Sequence, residues 1–289
     1  MSGWVEAGLL DRCEVRRTEP GWLASQWSAA SALLLAVDHD GRVSIGDGLV
    51  LPSRHPSGAF DPQRHLLLGI SAGRPVFAEV GTAEPMASLR ELMPVLEAAD
   101  RELVVAAVAL VNWHLTAPYC ARCGALTTVT LGGMVRHCPS CGRDRFPRSD
   151  PAIIVAVLDS DDRLLLGHQA TWPKGRMSIL AGFVSAGESL EQAVHREVGE
   201  ESGLALSGVR YFGSQPWPLP RSLMLGFVAR ATDTRIEVDG IEIEHANWFT
   251  RDELTLAVDS GEVGLPGEAS IAHRMVAQWR AGTLVAPEA

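Results

Sequence analysis

The first part of the chain alternates short apolar runs with turn signals. Residues 32–37 (Ala-Leu-Leu-Leu-Ala-Val) lead into Asp38-His39-Asp40-Gly41, and residues 66–70 (Leu-Leu-Leu-Gly-Ile) lead into Ala72-Gly73-Arg74. Runs of this length bounded by Asp-Gly or Gly-Arg predict strands joined by hairpin turns. From about 88 to 115 the pattern becomes helical, with a break expected around Ala98-Ala99-Asp100. Beyond residue 148 an unbroken apolar run, 152–158, predicts a buried strand. An Asp161-Asp162 turn then leads to Leu164-Leu165-Leu166-Gly167. Further strand-like stretches occupy 209–212, 223–229 and 235–238. Near the end Ile271, Met275 and Trp279 recur every four residues, the apolar stripe of a helix.

One more helix, starting near residue 190, carries the clearest patterning. Ser189 is a plausible N-cap with Gln192 three residues on to close a capping box, and Gly203 supplies the stop. Leu190, Ala193, Val194 and Val198 make a stripe to bury, while Glu197, Glu200 and Glu201 share another face. Like charges so spaced weaken a helix by a few tenths of a kcal/mol per pair, so a cation is the natural partner. Arg196 can orient one carboxylate. Hard oxygen ligands for the rest suit Mg²⁺ or Mn²⁺, completed by phosphate oxygens. A charged, solvated face is the bland alternative.

Between the two strand-rich parts lies a cysteine module centred on Gly132-Gly133, so the chain divides into segments of about 1–115, 116–147 and 148–285. Cys120-Ala-Arg-Cys123 and Cys138-Pro-Ser-Cys141 are two knuckles fourteen residues apart. Each can aim two sulfurs at one point, and together they form a closed four-sulfur site suited to structural Zn²⁺. Redox-active pairs are the competing reading. Arg122, Arg136, Arg143, Arg145 and Arg148 make this module locally basic, as either a solvated surface or a phosphate-contacting patch. Cys13 reads as a free thiol with no special role.

The totals fit this division. A chain of 289 residues, 46% hydrophobic, has material for two medium domains or one large domain with an added module. A net charge of −10 argues against a whole-surface footprint for nucleic acid and leaves room only for a local patch. Residues 1–6 lack a basic leader followed by an apolar stretch, and the longest apolar run, 103–111, is far short of the ~20 residues needed to span a bilayer. A soluble cytoplasmic protein, without membrane partners, is expected.

Gly182, Glu188, Arg196, Glu197, Val198, Glu200, Glu201, Gly203 and Leu204 fill every specified position of the Nudix box, Gly-x5-Glu-x7-Arg-Glu-U-x-Glu-Glu-x-Gly-U with U apolar. The segment is identified as a member of that superfamily. The resemblance implies an α/β/α sandwich with a mixed sheet, in an α+β chain that also carries the zinc ribbon and an N-terminal mixed α/β domain. It implies hydrolysis of a nucleoside diphosphate linked to another moiety. It also implies that Glu197 and Glu201 ligate metal, that Glu200 ligates or helps activate water, and that Arg196 and Glu188 hold the helix. The carbonyl of Ala181 is a further metal ligand in this scheme.

Downstream, Ser214-Gln215-Pro216-Trp217-Pro218-Leu219-Pro220-Arg221-Ser222 resembles the SQPWPFPxS motif of NADH pyrophosphatases, which also carry a four-cysteine module before the Nudix domain. Read alone, the segment is a stiff proline-rich loop with a core tryptophan. The resemblance implies a substrate-binding role for residues 215–222 and cleavage of NAD(H) to AMP and nicotinamide mononucleotide. The same cut on NAD-capped RNA would leave a 5′-monophosphate. It implies a metal-binding role for Glu242, with Glu244 the local competitor. Phe183 and Phe146 match the aromatics that sandwich adenine, with Phe146 supplied across a homodimer. Ala272 matches a backbone contact, and Arg90 a substrate contact from the N-terminal domain. Two departures stand out: Leu219 replaces the motif's phenylalanine, and Ser185 stands where a glutamate often follows Gly-Phe-Val. Competing readings are a broad Nudix hydrolase of ADP-ribose, dephospho-coenzyme A or diadenosine compounds, and a zinc protein that binds nucleotides or RNA without cutting them.

Overall fold

The computed structural model describes residues 6–52 and 54–287. These fold as two compact units, one of residues 6–149 with 217–221, the other of 150–216 with 222–287.

The first unit holds a six-stranded sheet in the order β1-β4-β5-β2-β3-β6. Its strands are β1 (Leu10–Asp11), β2 (Leu33–Val37), β3 (Val43–Ser44), β4 (Leu66–Ser71), β5 (Arg74–Val80) and β6 (Met86–Ala87). Helix α1 (Trp22–Trp27) places Trp22 and Trp27 in a core with Leu34, Leu67 and Phe77. The expected hairpin after β4 is present, with Ala72 and Gly73 both in the left-handed region that tightens such turns. Cys13 is a buried member of this core, its Sγ 3.3 Å from the carbonyl of Asp11.

The helical stretch divides earlier than the sequence suggests. Helix α2 (Leu89–Leu92) is capped by a Ser88–Glu91 box, and α3 (Ala98–Thr116) begins at the residues expected to form the break. The interruption falls at residues 93–97, where Pro94 has no N–H to offer a continuing helix. α3 is buried on most sides, from Leu103 to Val111. No helix among the described residues is long and apolar enough to cross a membrane.

The cysteine module is a small sheet of β7 (Thr128–Thr130), β8 (Val135–His137) and β9 (Asp144–Arg145). Three side chains fasten it within the unit. Buried Arg17 donates to the carbonyls of Leu131 and Gly132 at 3.2 Å each, and to that of Leu68. The Gln63 amide donates to and accepts from Val129, mimicking a neighbouring strand. Arg136 donates to Nδ1 of His114, whose Nε2–H donates to Gly133. Burial pulls the His114 pKa down to about 4, so the ring is a neutral link. Arg136 therefore leaves the basic patch expected of this module: it is buried and fully engaged, while Arg122, Arg143 and Arg148 are exposed. The central glycines have a packing reason. Both take positive φ, and a methyl on Gly132 or Gly133 would press on Leu23 or Leu66.

In the second unit, β10 (Asp150–Leu158) lies between β11 (Leu164–His168) and β14 (Ser222–Ala231), in the order β13-β14-β10-β11-β15, with β12 (Leu180–Phe183) also paired to β10. The other strands are β13 (Leu206–Trp217) and β15 (His245–Phe249). β10 runs parallel to β14 and antiparallel to β11 and β12, so the sheet is mixed. Alternate residues of β10 feed opposite faces. Ile153, Val155 and Val157 meet Ala193, Val194 and Val198 of α4 (Leu190–Ser202). Ile154, Ala156 and Leu158 meet Leu254 of α5 (Arg251–Asp259) and Ile271, Met275 and Trp279 of α6 (Ile271–Arg280). This is the three-layer α/β/α sandwich, and the alternation explains why a continuous apolar run was needed. Residues 235–238, expected to form a strand, are irregular. Ile236 and Val238 do pack into the core, but the segment's ties are single ones, such as Glu237 N–H to the Ser202 carbonyl.

Candidate active site and zinc centre

The four cysteine sulfurs gather at one end of the β7–β9 sheet. Sγ atoms of Cys120 and Cys141 are 3.7 Å apart, those of Cys123 and Cys138 3.5 Å, and all four lie within 4.8 Å of one another. Zn–S bonds of ~2.3 Å in a tetrahedron place sulfurs about 3.8 Å apart, so the quartet fits one zinc ion with little adjustment. Backbone N–H groups of Arg122 and Cys123 draw the Cys120 thiol down to about 6, which favours the thiolate a metal needs. With four sulfurs the shell is closed and structural. Replacing Cys138 by Ser is expected to remove about one zinc per chain and expose residues 116–147 to proteolysis, read by metal analysis and limited digestion. Full zinc content in that variant would contradict the assignment.

The carboxylate site forms where α4 faces β12. The Ser189 box caps α4 as the sequence indicates, and Gly203 ends it in the left-handed conformation. Arg196 lies at the hub. Its guanidinium grips Glu188 through two bonds of 2.8 and 2.9 Å, and donates to Glu197 at 2.8 Å, to Glu200 at 3.0 Å and to the Phe183 carbonyl at 2.9 Å. Glu188 is held at about 2 by this grip and by the Ser185 amide, so it remains a fixed anion at any working pH. Ser185 thus serves through its backbone, and the residue type there matters little to this contact.

Glu197 and Glu201 are buried, whereas Glu200 is exposed. Both Glu201 oxygens are buried with no hydrogen-bond partner. Burial pushes its pKa up to about 8, with Glu197, Glu242 and Asp239 adding like charge. Burial also raises Glu197, opposed by Arg196 and reinforced by Glu200 and Glu242. Leaving a buried carboxylate unpartnered is costly, and crowding it with other acids worsens the penalty. A divalent cation removes both problems, so the residues fit one. Glu242, on an exposed loop, adds like charge to both Glu197 and Glu201. Its position is fixed by Asp239, whose carboxylate accepts the amides of Ile241, Glu242 and Ile243 at 3.0–3.2 Å. Glu244 points elsewhere, 3.6 Å from Nε2 of His168.

Comparison with known proteins places these two centres in familiar company. Residues 115–146 match the NADH pyrophosphatase zinc ribbon domain, and residues 148–265 match the NUDIX domain. The chain is 40% identical over 296 aligned positions to the NAD-capped RNA hydrolase NudC of Mycobacterium bovis (strain BCG / Pasteur 1173P2), covering 94% of this chain and 92% of that protein. The chain belongs to the NudC family of Nudix hydrolases. Identity and coverage are the same with NudC of Mycobacterium tuberculosis (strain ATCC 25618 / H37Rv). Human NAD-capped RNA hydrolase NUDT12 is 38% identical over 68% of this chain and 44% of its own length.

The remaining family positions fall in both units. Gln215 is buried, its amide donating to the Ala269 carbonyl at 2.7 Å. Residues 217–221 group with the first unit, where the Arg90 guanidinium sits over the Trp217 ring at 5.1 Å and Asn112 donates to the Pro218 carbonyl. Arg90 and Trp217, chosen separately from the sequence, are therefore brought together. Phe146 and Phe183 are both exposed, 62% and 59%, unusual for phenylalanine and suited to a stacking partner. Ala272 is buried in the first turn of α6, and Ala181 lies in β12. Sequence reasoning missed Asp239, although Asp239-Gly240 is a turn signal and an Asp preceding a loop can bind the amides that follow.

Proposed function

We propose that this NudC-family chain hydrolyses the diphosphate of NAD(H) to AMP and nicotinamide mononucleotide, and removes NAD from the 5′ end of RNA. The unpartnered Glu201 carboxylate, crowded by Glu197 and Glu242, carries the reading: a bound cation relieves such a group in its ionised form, and a diphosphate can share that cation. In this reading 148–285 does the chemistry, 116–147 is the zinc-bound ribbon, and 1–115 serves packing and dimerisation, all in the cytoplasm.

Glu197, Glu201 and Glu242, with Glu200 at the rim and the Ala181 carbonyl, would hold two or three Mg²⁺ or Mn²⁺ ions. Such ions lower the pKa of a water and neutralise charge on the departing phosphate. Arg196 keeps Glu197 and Glu200 aimed, and Glu188 anchors Arg196. Phe183 and the partner subunit's Phe146 stack the adenine, so dimerisation completes the pocket. Residues 215–222, Arg90 and Ala272 would each contact substrate, as the family resemblance implies. Water oxygen bonds to one phosphorus while the bridging P–O bond breaks, and the bridging oxygen leaves with the other phosphate. On capped RNA the same exchange yields nicotinamide mononucleotide and 5′-monophosphate RNA. Relatives named NAD-capped RNA hydrolase support that extension.

The test is kcat/KM with NADH, NAD⁺, NAD-capped RNA, ADP-ribose and diadenosine tetraphosphate under one set of conditions, with products identified. NAD(H) and capped RNA are expected to exceed the others by at least about tenfold, a difference of ~1.4 kcal/mol in transition-state binding. Equal rates on all would favour the broad hydrolase, for which Leu219 in place of phenylalanine is the motif's one departure.

A further inference from the structure

A third cluster of ligand-type side chains uses residues of neither centre. His168 ends β11, and its direct cross-strand partner is His245, the first residue of β15. Glu244 precedes it and donates its amide to the His168 carbonyl at 2.9 Å. The ligand atoms of His168, Glu244 and His245 lie within 4.8 Å of one another.

Three features make this more than a chance grouping. Nδ1 of the buried His168 lies 2.6 Å from the carbonyl oxygen of Arg176, so Nδ1 carries the proton and donates it. That bond fixes the ring and turns Nε2 toward Glu244 at 3.6 Å. A backbone carbonyl on the far nitrogen is the usual support of a metal-bound histidine. Second, the His245 ring lies 4.7 Å from the His168 ring at 29°, adding another imidazole on the same side. Third, His168 Nε2 stands 3.6 Å from the Glu244 carboxylate, a spacing at which one cation can bridge the two. Ligands around a tetrahedral ion with ~2.0–2.1 Å bonds lie about 3.3–3.4 Å apart. The His168–Glu244 spacing is close to that, and the exposed Glu244 and His245 side chains need only small rotations to complete it.

We propose that His168 Nε2, Glu244 and His245 form a third metal site, selective for a transition ion of the Zn²⁺, Co²⁺ or Ni²⁺ class, with one position left to water. Two imidazoles and a carboxylate are a borderline donor set, unlike the all-oxygen cluster of Glu197, Glu201 and Glu242 or the all-sulfur ribbon. Buried Ile243 separates the two acidic ligands: Glu242 turns toward Glu197 and Glu201, Glu244 toward His168. The site thus staples the end of β11 to the loop that carries Glu242. It does not depend on which diphosphate the enzyme cleaves.

The test is calorimetric titration of the full chain with Ni²⁺, ribbon zinc retained and Mg²⁺ saturating, with zinc release monitored. The wild type is expected to take up about one Ni²⁺ per chain without losing zinc. His245→Ala and Glu244→Gln, both at exposed positions, are expected to weaken uptake at least about tenfold. His168→Gln is expected to abolish it, and His245→Ala decides the matter should that buried change disturb folding. No uptake by the wild type, the result expected of a plain imidazolium–carboxylate pair, would overturn the proposal, as would undiminished uptake in His245→Ala.

Discussion

Glu201→Gln is expected to lower turnover by ~10³-fold or more, about 4 kcal/mol of barrier, with the fold intact. The substitution keeps shape and volume while removing the charge that would hold a cation. Its effect on stability should run the other way. The Glu201 pKa is raised to about 8 in the folded chain against an ordinary value of 4.5, because the carboxyl is buried and faces other acids. Below the ordinary value the group is protonated in both folded and unfolded chains, and its stability contribution is fully present. As pH rises toward 8, the unfolded chain ionises freely while the folded site resists, and that contribution is lost at up to ~1.4 kcal/mol per pH unit. Metal-free wild type should therefore weaken between pH 5 and 8, and metal-free Glu201→Gln should weaken less. Added Mg²⁺ should restore the wild type and leave the variant nearly unmoved. Thermal unfolding across this range, with and without Mg²⁺, reads both effects. A variant no more stable than wild type at pH 8 without metal would show that Glu201 is not the strained group described.

The second large effect is expected at Gly182. It lies in β12 opposite Ile153, with ordinary extended backbone, so no turn requires glycine there. The requirement is steric: a Cβ at this position would overlap the Glu197 carboxylate, all three of whose atoms lie closer than any real contact permits. Gly182→Ala must push Glu197 off Arg196 or push β12 off α4. Overpacking of this kind costs about 1–3 kcal/mol of stability. Displacing a metal ligand should lower kcat by roughly a hundredfold, ~2.7 kcal/mol, with a smaller change in KM. Near-normal kcat together with a normal unfolding temperature would mean Glu197 does not press on this strand during turnover.

Gly182 also shows how much of the site was legible in the chain. Glycine, glutamate and arginine at fixed spacing could be read as a box, but the reason for the first glycine is a contact between residues fifteen positions apart. Local patterns carried well: the Ser189–Gln192 cap, the α4 stripe, β10 and the cysteine knuckles each depend on near neighbours. α5 was equally local, with a Thr250–Glu253 capping box, but only Leu254 on it is fully buried, so its apolar stripe is faint. Residues 235–238 misled because alternating apolar positions report burial, and burial does not require a neighbouring strand. Arg136 misled because charge in a sequence says nothing of whether a buried histidine waits to receive it. Asp239, the anchor of Glu242, announces itself only through the three amides it collects.

The most direct measurement is anomalous scattering from Mn²⁺ in crystals of the wild-type chain grown with a non-hydrolysable NAD analogue. Manganese peaks are expected beside Glu197, Glu201 and Glu242, next to the analogue's two phosphorus groups. Manganese bound elsewhere, with Glu201 still buried and unpartnered beside the analogue, would contradict that expectation.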